Sequence, residues 1–194
     1  MDTTLSLPTR DSKIVSDGVM GMILLLAAEA MFFAGLISAY IVNRAGAMID
    51  WPPANQPRLP IEVTAVNTAI LIGSAISMFL FAKKFKSGRS SLLLLTISIL
   101  LGAAFVTVQG TEWVKLLGFG LTTTSSLFGA FFYLIIGAHA LHVTAGLAIL
   151  FYLYFSIKNS GSKEDAQNKI IVCSLYWYFV VGIWPILYYL VYLL

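Results

Sequence analysis

Charge in this chain is segregated so sharply that it limits the fold before any motif is read. Val19 to Asn43 carries Glu29 as its only charged residue, and Val63 to Ala82, Ser90 to Gly110, Leu116 to Ile157 and Ile170 to Leu194 carry no Lys, Arg, Asp or Glu. A helix crossing about 30 Å of hydrocarbon needs roughly 20 apolar residues at about 1.5 Å each. Four of the runs fit one crossing. The run from Leu116 is too long for one, but it opens with "GFGLTTTSS", whose glycines and hydroxyls read as a loop, leaving a span from about Leu127. Composition agrees: 59% of the 194 residues are hydrophobic and only 11% charged, against roughly a quarter in a soluble domain. The expectation is an all-α, polytopic membrane protein: five transmembrane helices near residues 19-43, 63-83, 90-111, 127-157 and 169-193, after a polar segment over 1-18.

Five crossings put the termini on opposite sides. Lys and Arg concentrate in loops left in the cytoplasm. With the N-terminus inside, that side holds Arg10, Lys13, Lys83, Lys84, Lys86, Arg89, Lys158, Lys163 and Lys169, against Arg44, Arg58 and Lys115 outside. The expected orientation is therefore N-terminus cytoplasmic and C-terminus outer, and the net charge of +3 expresses topology rather than nucleic-acid binding. The first apolar run is too long, and its polar 18-residue lead too acidic, to read as a signal peptide. One cysteine, Cys173, offers neither a disulfide framework nor a thiolate cluster. The proline-rich "DWPPANQPRLP" reads as a stiff external loop with Trp51 as an interfacial anchor.

Glu29 stands in the middle of "LLLAAEAMFFAGL". A carboxylate in hydrocarbon is costly, so such a residue faces protein, water or a partner. Two readings stay open: a protonatable group coupled to proton movement, or a neutral carboxyl hydrogen-bonded to another span. Ala30, Ala34 and Ser38 form a small-residue stripe suited to close helix approach. The only histidines, His139 and His142, lie three apart in "GAHALHVTAG" and so share a helix face. With Glu29 or Glu112 they could ligate a metal, or they could be neutral bundle histidines. From one helix face they cannot grip a haem from both sides. Glu112, in "QGTEW", reads as a carboxylate at the outer interface, and the aromatics of "YWYFVVGIW" as packing. No phosphate-binding glycine loop, nucleophile–base pair or catalytic carboxylate pair is visible, so the chain carries no catalytic centre of its own.

Taken in order, these stretches resemble subunit III of the haem-copper terminal oxidases in a short five-span form. "GMILLLAAEAMFF" is similar to that family's helix with an intramembrane glutamate, at Glu29; "WPP" matches its external loop at Trp51, and "VNTAIL" the start of its next span, at Asn67. "VQGTEW" places Gln109 and Glu112 on two polar positions. "LFGAFFYLIIGAHALHVTAG" places Gly129, Gly137, His139, His142 and Gly146, and "YWYFV" to "W" places Trp177 and Trp184. The resemblance implies a subunit without haem or copper, both held by partner subunits, with bound phospholipid. It implies packing beside catalytic subunit I and other oxidase subunits in the bacterial cytoplasmic (inner) membrane. It also implies a role in aerobic electron transport: stabilising the catalytic subunit and supporting proton uptake and oxygen access, with Glu29 and His142 buried and mutually close or facing lipid.

The chain departs from the family pattern at Tyr178 for a His, Val181 for an Asp and Ile171 for an expected Glu, and it lacks the two earlier spans whose cleft holds phospholipid in longer members. These departures bear on lipid contacts of the last helix. Subunit III of a quinol oxidase and an accessory subunit of a nitric oxide reductase are alternatives the residues leave open. A small proton-coupled transporter using Glu29 is a further one, although it would call for internal repeats or broken helices.

Overall fold

The computed structural model describes residues 16–47, 51–53, 56–89, 91–159 and 162–194. Five helices account for nearly all of them: α1 (Asp17–Ala45), α2 (Ile61–Lys86), α3 (Leu92–Gly118), α4 (Leu127–Lys158) and α5 (Lys163–Tyr188), closed by a π-helical turn at Tyr189–Leu193. All five are long and apolar enough to cross a membrane, and no strand occurs among the described residues. The helices overrun the charge-free stretches because their ends are locally specified. Ser126 and Ser162 accept from the backbone N–H of Gly129 and Asp165, capping α4 and α5. The chain leaves α2 and α3 through Gly88 and Gly120 at φ +79° and +88°. Arg89 N–H donates to Lys84 O and Leu121 N–H to Leu116 O, the wide bond of a left-handed helix exit.

The short connection after Lys86 lays α3 antiparallel to α2. Ser77 hydroxyl donates to Leu94 O, Ser98 to Ser74 O and Asn67 Nδ2 to Phe105 O, so position falls along α2 as it rises along α3. The bundle therefore has two charged ends. Lys83, Lys84, Lys86, Arg89, Lys158, Lys163 and Lys169 belong to one, and Arg44, Arg58 and Lys115 to the other. Arg10 and Lys13 lie outside the described residues, as does most of the 1-18 segment.

The fifth helix is the hub, packed against α1, α2 and α4; α3 joins α2 to α4. Its tryptophans Trp177 and Trp184 are fully buried. Trp177 fits because two neighbours lack side chains. A Cβ on Gly102 would lie 2.7 Å from its ring, and one on Gly146 2.9 Å. Without water to force apolar surfaces together, close approach at small residues supplies dispersion contact. Each indole N–H is satisfied from α2, by Ser74 Oγ at 3.2 Å and Thr68 Oγ1 at 2.8 Å.

Burial is uneven. In the most apolar 18-residue stretch of α1 only 6% of residues are buried, against 33% in α2, α3 and α4 and 50% in α5. Phe33 and Tyr40 anchor α1, while Ala30 and Ala34 line a shallow groove facing Gly182 of α5.

Candidate functional site

Glu29 is the thirteenth of 29 residues in α1 and His142 the sixteenth of 32 in α4, so both stand near mid-height of their spans. Glu29 Oε2 and His142 Nε2 are 2.8 Å apart. The other ring nitrogen, Nδ1, lies 2.7 Å from Ala138 O. A carbonyl only accepts, so Nδ1 carries a hydrogen and donates it. Nε2 then has one role left toward Glu29: it accepts from a carboxylic acid or, as imidazolium, donates to a carboxylate. A hydrogen bond between the two atoms therefore needs a hydrogen on one of them, and the helix fixes the tautomer.

Aromatic rings fix the imidazole. Phe32 stacks on it, centroids 6.1 Å apart at 29°, and Phe33 meets it edge-on at 5.1 Å. Both follow Glu29 by about one turn, so one helix face supplies the acid and the clamp. Tyr176 of α5 reaches the backbone oxygen of His142 at 3.4 Å. Glu29 is not fully enclosed. A quarter of its side chain and 15% of that of His142 remain accessible on the chain's outer surface. The two residues are mutually close and partly exposed, and among the described residues none encloses Glu29 fully.

His139 is placed differently. Three residues along a helix leave it about 60° short of a full turn from His142. It points to α5, where its ring stacks on Trp184 at 4.9 Å and 27°, with edges of Phe33 and Phe105 around it. It is 1% exposed, and neither ring nitrogen has a hydrogen-bond partner among the described residues. The two histidines therefore do not converge. Among the described residues no three of His, Cys, Asp and Glu come together in a metal-binding group.

Polar positions farther out form a second assembly. Asn67 Nδ2 donates to Phe105 O at 3.0 Å, and Gln109 Nε2 to the Tyr192 hydroxyl at 2.8 Å. Glu112 is buried within the chain. The helix α3 runs on to Gly118, so Glu112 lies well inside it, ion-paired to Lys115 at 2.7 Å. Trp51 packs against the bundle. Its indole N–H donates to the Tyr40 hydroxyl at 3.1 Å and its ring packs edge-on to Phe128. Residues 48–50 and 54–55 of that loop lie outside the described residues. Gly129 sits where a Cβ would fall 2.3 Å from Thr122 O, whereas Gly137 has only ordinary contact with Trp113.

Thr68, Ser74, Ser98 and Tyr192 join the polar seam without having been singled out in the sequence. The signal was present: Thr64, Asn67, Thr68, Ser74 and Ser77 recur on one face of α2.

The family model for cytochrome c oxidase subunit III matches residues 4–194. A probable cytochrome c oxidase subunit 3 of Nocardia farcinica is 36% identical over 167 residues, covering 85% of this chain and 82% of the relative. A cytochrome c oxidase subunit 3 of Synechocystis is 34% identical over 179 residues, covering 91% and 75%. One from the tick Rhipicephalus sanguineus is 33% identical, covering 87% of this chain and 67% of the relative. With five membrane-length helices and a match running almost end to end, the chain belongs to the cytochrome c oxidase subunit III family, whose members are components of multi-subunit, membrane-bound respiratory oxidases.

Proposed function

We propose that this chain is a redox-inactive subunit lying beside the haem-copper catalytic subunit I. There it keeps that subunit competent through turnover and supports proton uptake and access of oxygen. Haem and copper belong to the partners. The chain sits in the bacterial inner membrane with its basic end, and hence its N-terminus, in the cytoplasm. Seven of the ten Lys and Arg among the described residues support that orientation.

The observation that carries the reading is the Glu29–His142 pair on the outer side of the least buried span. Facing lipid, a carboxyl at this depth is expensive. Facing another subunit it is covered, and its shared proton stands at the interface. Ala138 O and the two phenylalanines hold the imidazole ring toward Glu29. Names of the relatives favour cytochrome c over quinol as the electron donor to the complex.

Phe32, 45% exposed beside Glu29, is the position to probe. A photo-crosslinking residue placed there, in the complex purified from native membrane, is expected to attach to the haem-bearing subunit. Attachment to lipid alone would overturn the reading.

A further inference from the structure

Tyr176 brings a third polar group to the Glu29–His142 pair, from a third helix. It belongs to α5 and is only 6% exposed, so its hydroxyl has to find a partner inside the bundle. The partner it has is a poor one: His142 O at 3.4 Å, at the outer limit of a hydrogen bond. That carbonyl also lies inside α4, where the N–H of Gly146, four residues on, already uses it.

Local packing aims the hydroxyl at the pair. A Cβ on Gly146 would meet the Tyr176 ring at 3.3 Å, so the missing side chain is the bed on which the ring lies. His142 is one turn back along the same face of α4. A ring resting on Gly146 therefore carries its hydroxyl to the height of the pair, where the charge of Glu29 acts on it. The other titratable groups near Glu29 are set apart. His139 faces Trp184 with Phe33 against its ring, and Tyr178 lies farther round α5, in the groove with Ala30 and Ala34. Between Val19 and Asn43, α1 carries no second charge.

Two arrangements satisfy the bond between Glu29 Oε2 and His142 Nε2: a carboxylic acid donating to a neutral imidazole, or an imidazolium donating to a carboxylate. The histidine engages Oε2, which leaves Oε1 for a second donor. A phenol O–H there favours the ionised arrangement, because a hydrogen bond to a carboxylate is stronger than one to a neutral carboxyl.

We propose that Tyr176 is a positioning residue for this pair: its hydroxyl turns from His142 O to Glu29 Oε1 and so sets the side on which the proton between Glu29 and His142 rests. No co-reactant is needed. The proton passes from the carboxyl to Nε2, and the phenol keeps its own. The role assigned to Tyr176 rests on that pair being the proton-bearing site of the subunit.

The test uses the oxidase complex containing this chain, with isotope-labelled glutamate incorporated. Protonated carboxyls give an infrared carbonyl band, and subtracting the spectrum of Glu29→Gln isolates the share of Glu29. In Tyr176→Phe the ratio of protonated to ionised Glu29 should rise about tenfold, the weight of one hydrogen bond to a charged group. Replacing Tyr176 by a fluorinated tyrosine, a stronger donor of nearly the same shape, should lower the ratio, which a packing role alone would not do. The haem spectrum and subunit composition are checked in each protein, and if Tyr176→Phe does not assemble, the fluorinated residue decides. An unchanged ratio, or shifts of the same sign in both, would overturn the proposal. Turnover of Glu29→Gln is read separately. Wild-type turnover there, with the band shifts present, would sink the role proposed for the pair and leave Tyr176 as its positioning residue; impaired turnover with no band shift would do the reverse.

Discussion

The Glu29 carboxyl and the His142 imidazole are 113 positions apart in the chain and 2.8 Å apart in space, joining the peripheral first span to the fourth. Because Nδ1 is committed to Ala138 O, the imidazole cannot turn away from Glu29 without giving up that bond. Replacing His142 by Phe keeps the ring volume and removes the partner. Glu29 then stands at mid-height unpaired, at a cost of about 1–3 kcal/mol. Lower thermal stability of the purified complex than wild type, and earlier release of this subunit on heating, are the expected results. Unchanged stability would show that the pair contributes nothing to packing.

His139→Phe should behave oppositely. His139 lies among Phe33, Phe105 and Trp184 with no polar partner for either nitrogen among the described residues, so an aromatic ring of similar size preserves its contacts. A volume-conserving change of this kind costs less than about 1.5 kcal/mol. Loss of assembly in a pull-down of the complex would contradict the environment described for this residue.

Gly146→Leu should destabilise more than either. A Cβ there already meets the Trp177 ring at 2.9 Å, and the ring has no room on its Gly102 side. Overpacking of this order costs about 1–3 kcal/mol or more. Reduced accumulation of the chain in membranes, judged by immunoblot, is the expected outcome, with Gly137→Ala as the tolerated control.

Tyr192→Phe removes the acceptor of the Gln109 amide inside the bundle. Measured hydrogen bonds between membrane helices average about 0.6 kcal/mol, so the single change should be mild. A double-mutant cycle with Gln109→Leu, read by denaturation in mixed micelles, should return a coupling of about that size. Zero coupling would mean the two groups are satisfied elsewhere.

Much of this was readable in the sequence. A charge-free run longer than a bilayer is thick leaves few folds open, so the five spans follow from spacing alone; the stop signals at Gly88 and Gly120 only moved their ends outward. Glu29 was conspicuous as the lone charge in its apolar helix, and His142 as one of only two histidines in the chain. Their contact, however, depends on how α1 and α4 are rotated about their axes, and a helix apolar on all sides carries no stripe to specify rotation. The burial of Glu112 within the chain is likewise invisible in "QGTEW", because it depends on the rotation of α3 in the bundle. Trp51 likewise finds Tyr40 only because its loop folds back.

If Glu29 is the carboxyl that matters for the oxidase, replacing it must cost more than replacing Glu112. Glu29→Gln and Glu112→Gln are nearly isosteric, and each replaces a carboxyl that has a partner within 2.8 Å. Proton ejection per electron and the number of turnovers before inactivation would be measured for the complex in proteoliposomes. Proton uptake and turnover lifetime should fall in Glu29→Gln, while Glu112→Gln stays near wild type. Wild-type behaviour of Glu29→Gln in both measurements would contradict the proposed role and leave the pair as a packing contact between two spans.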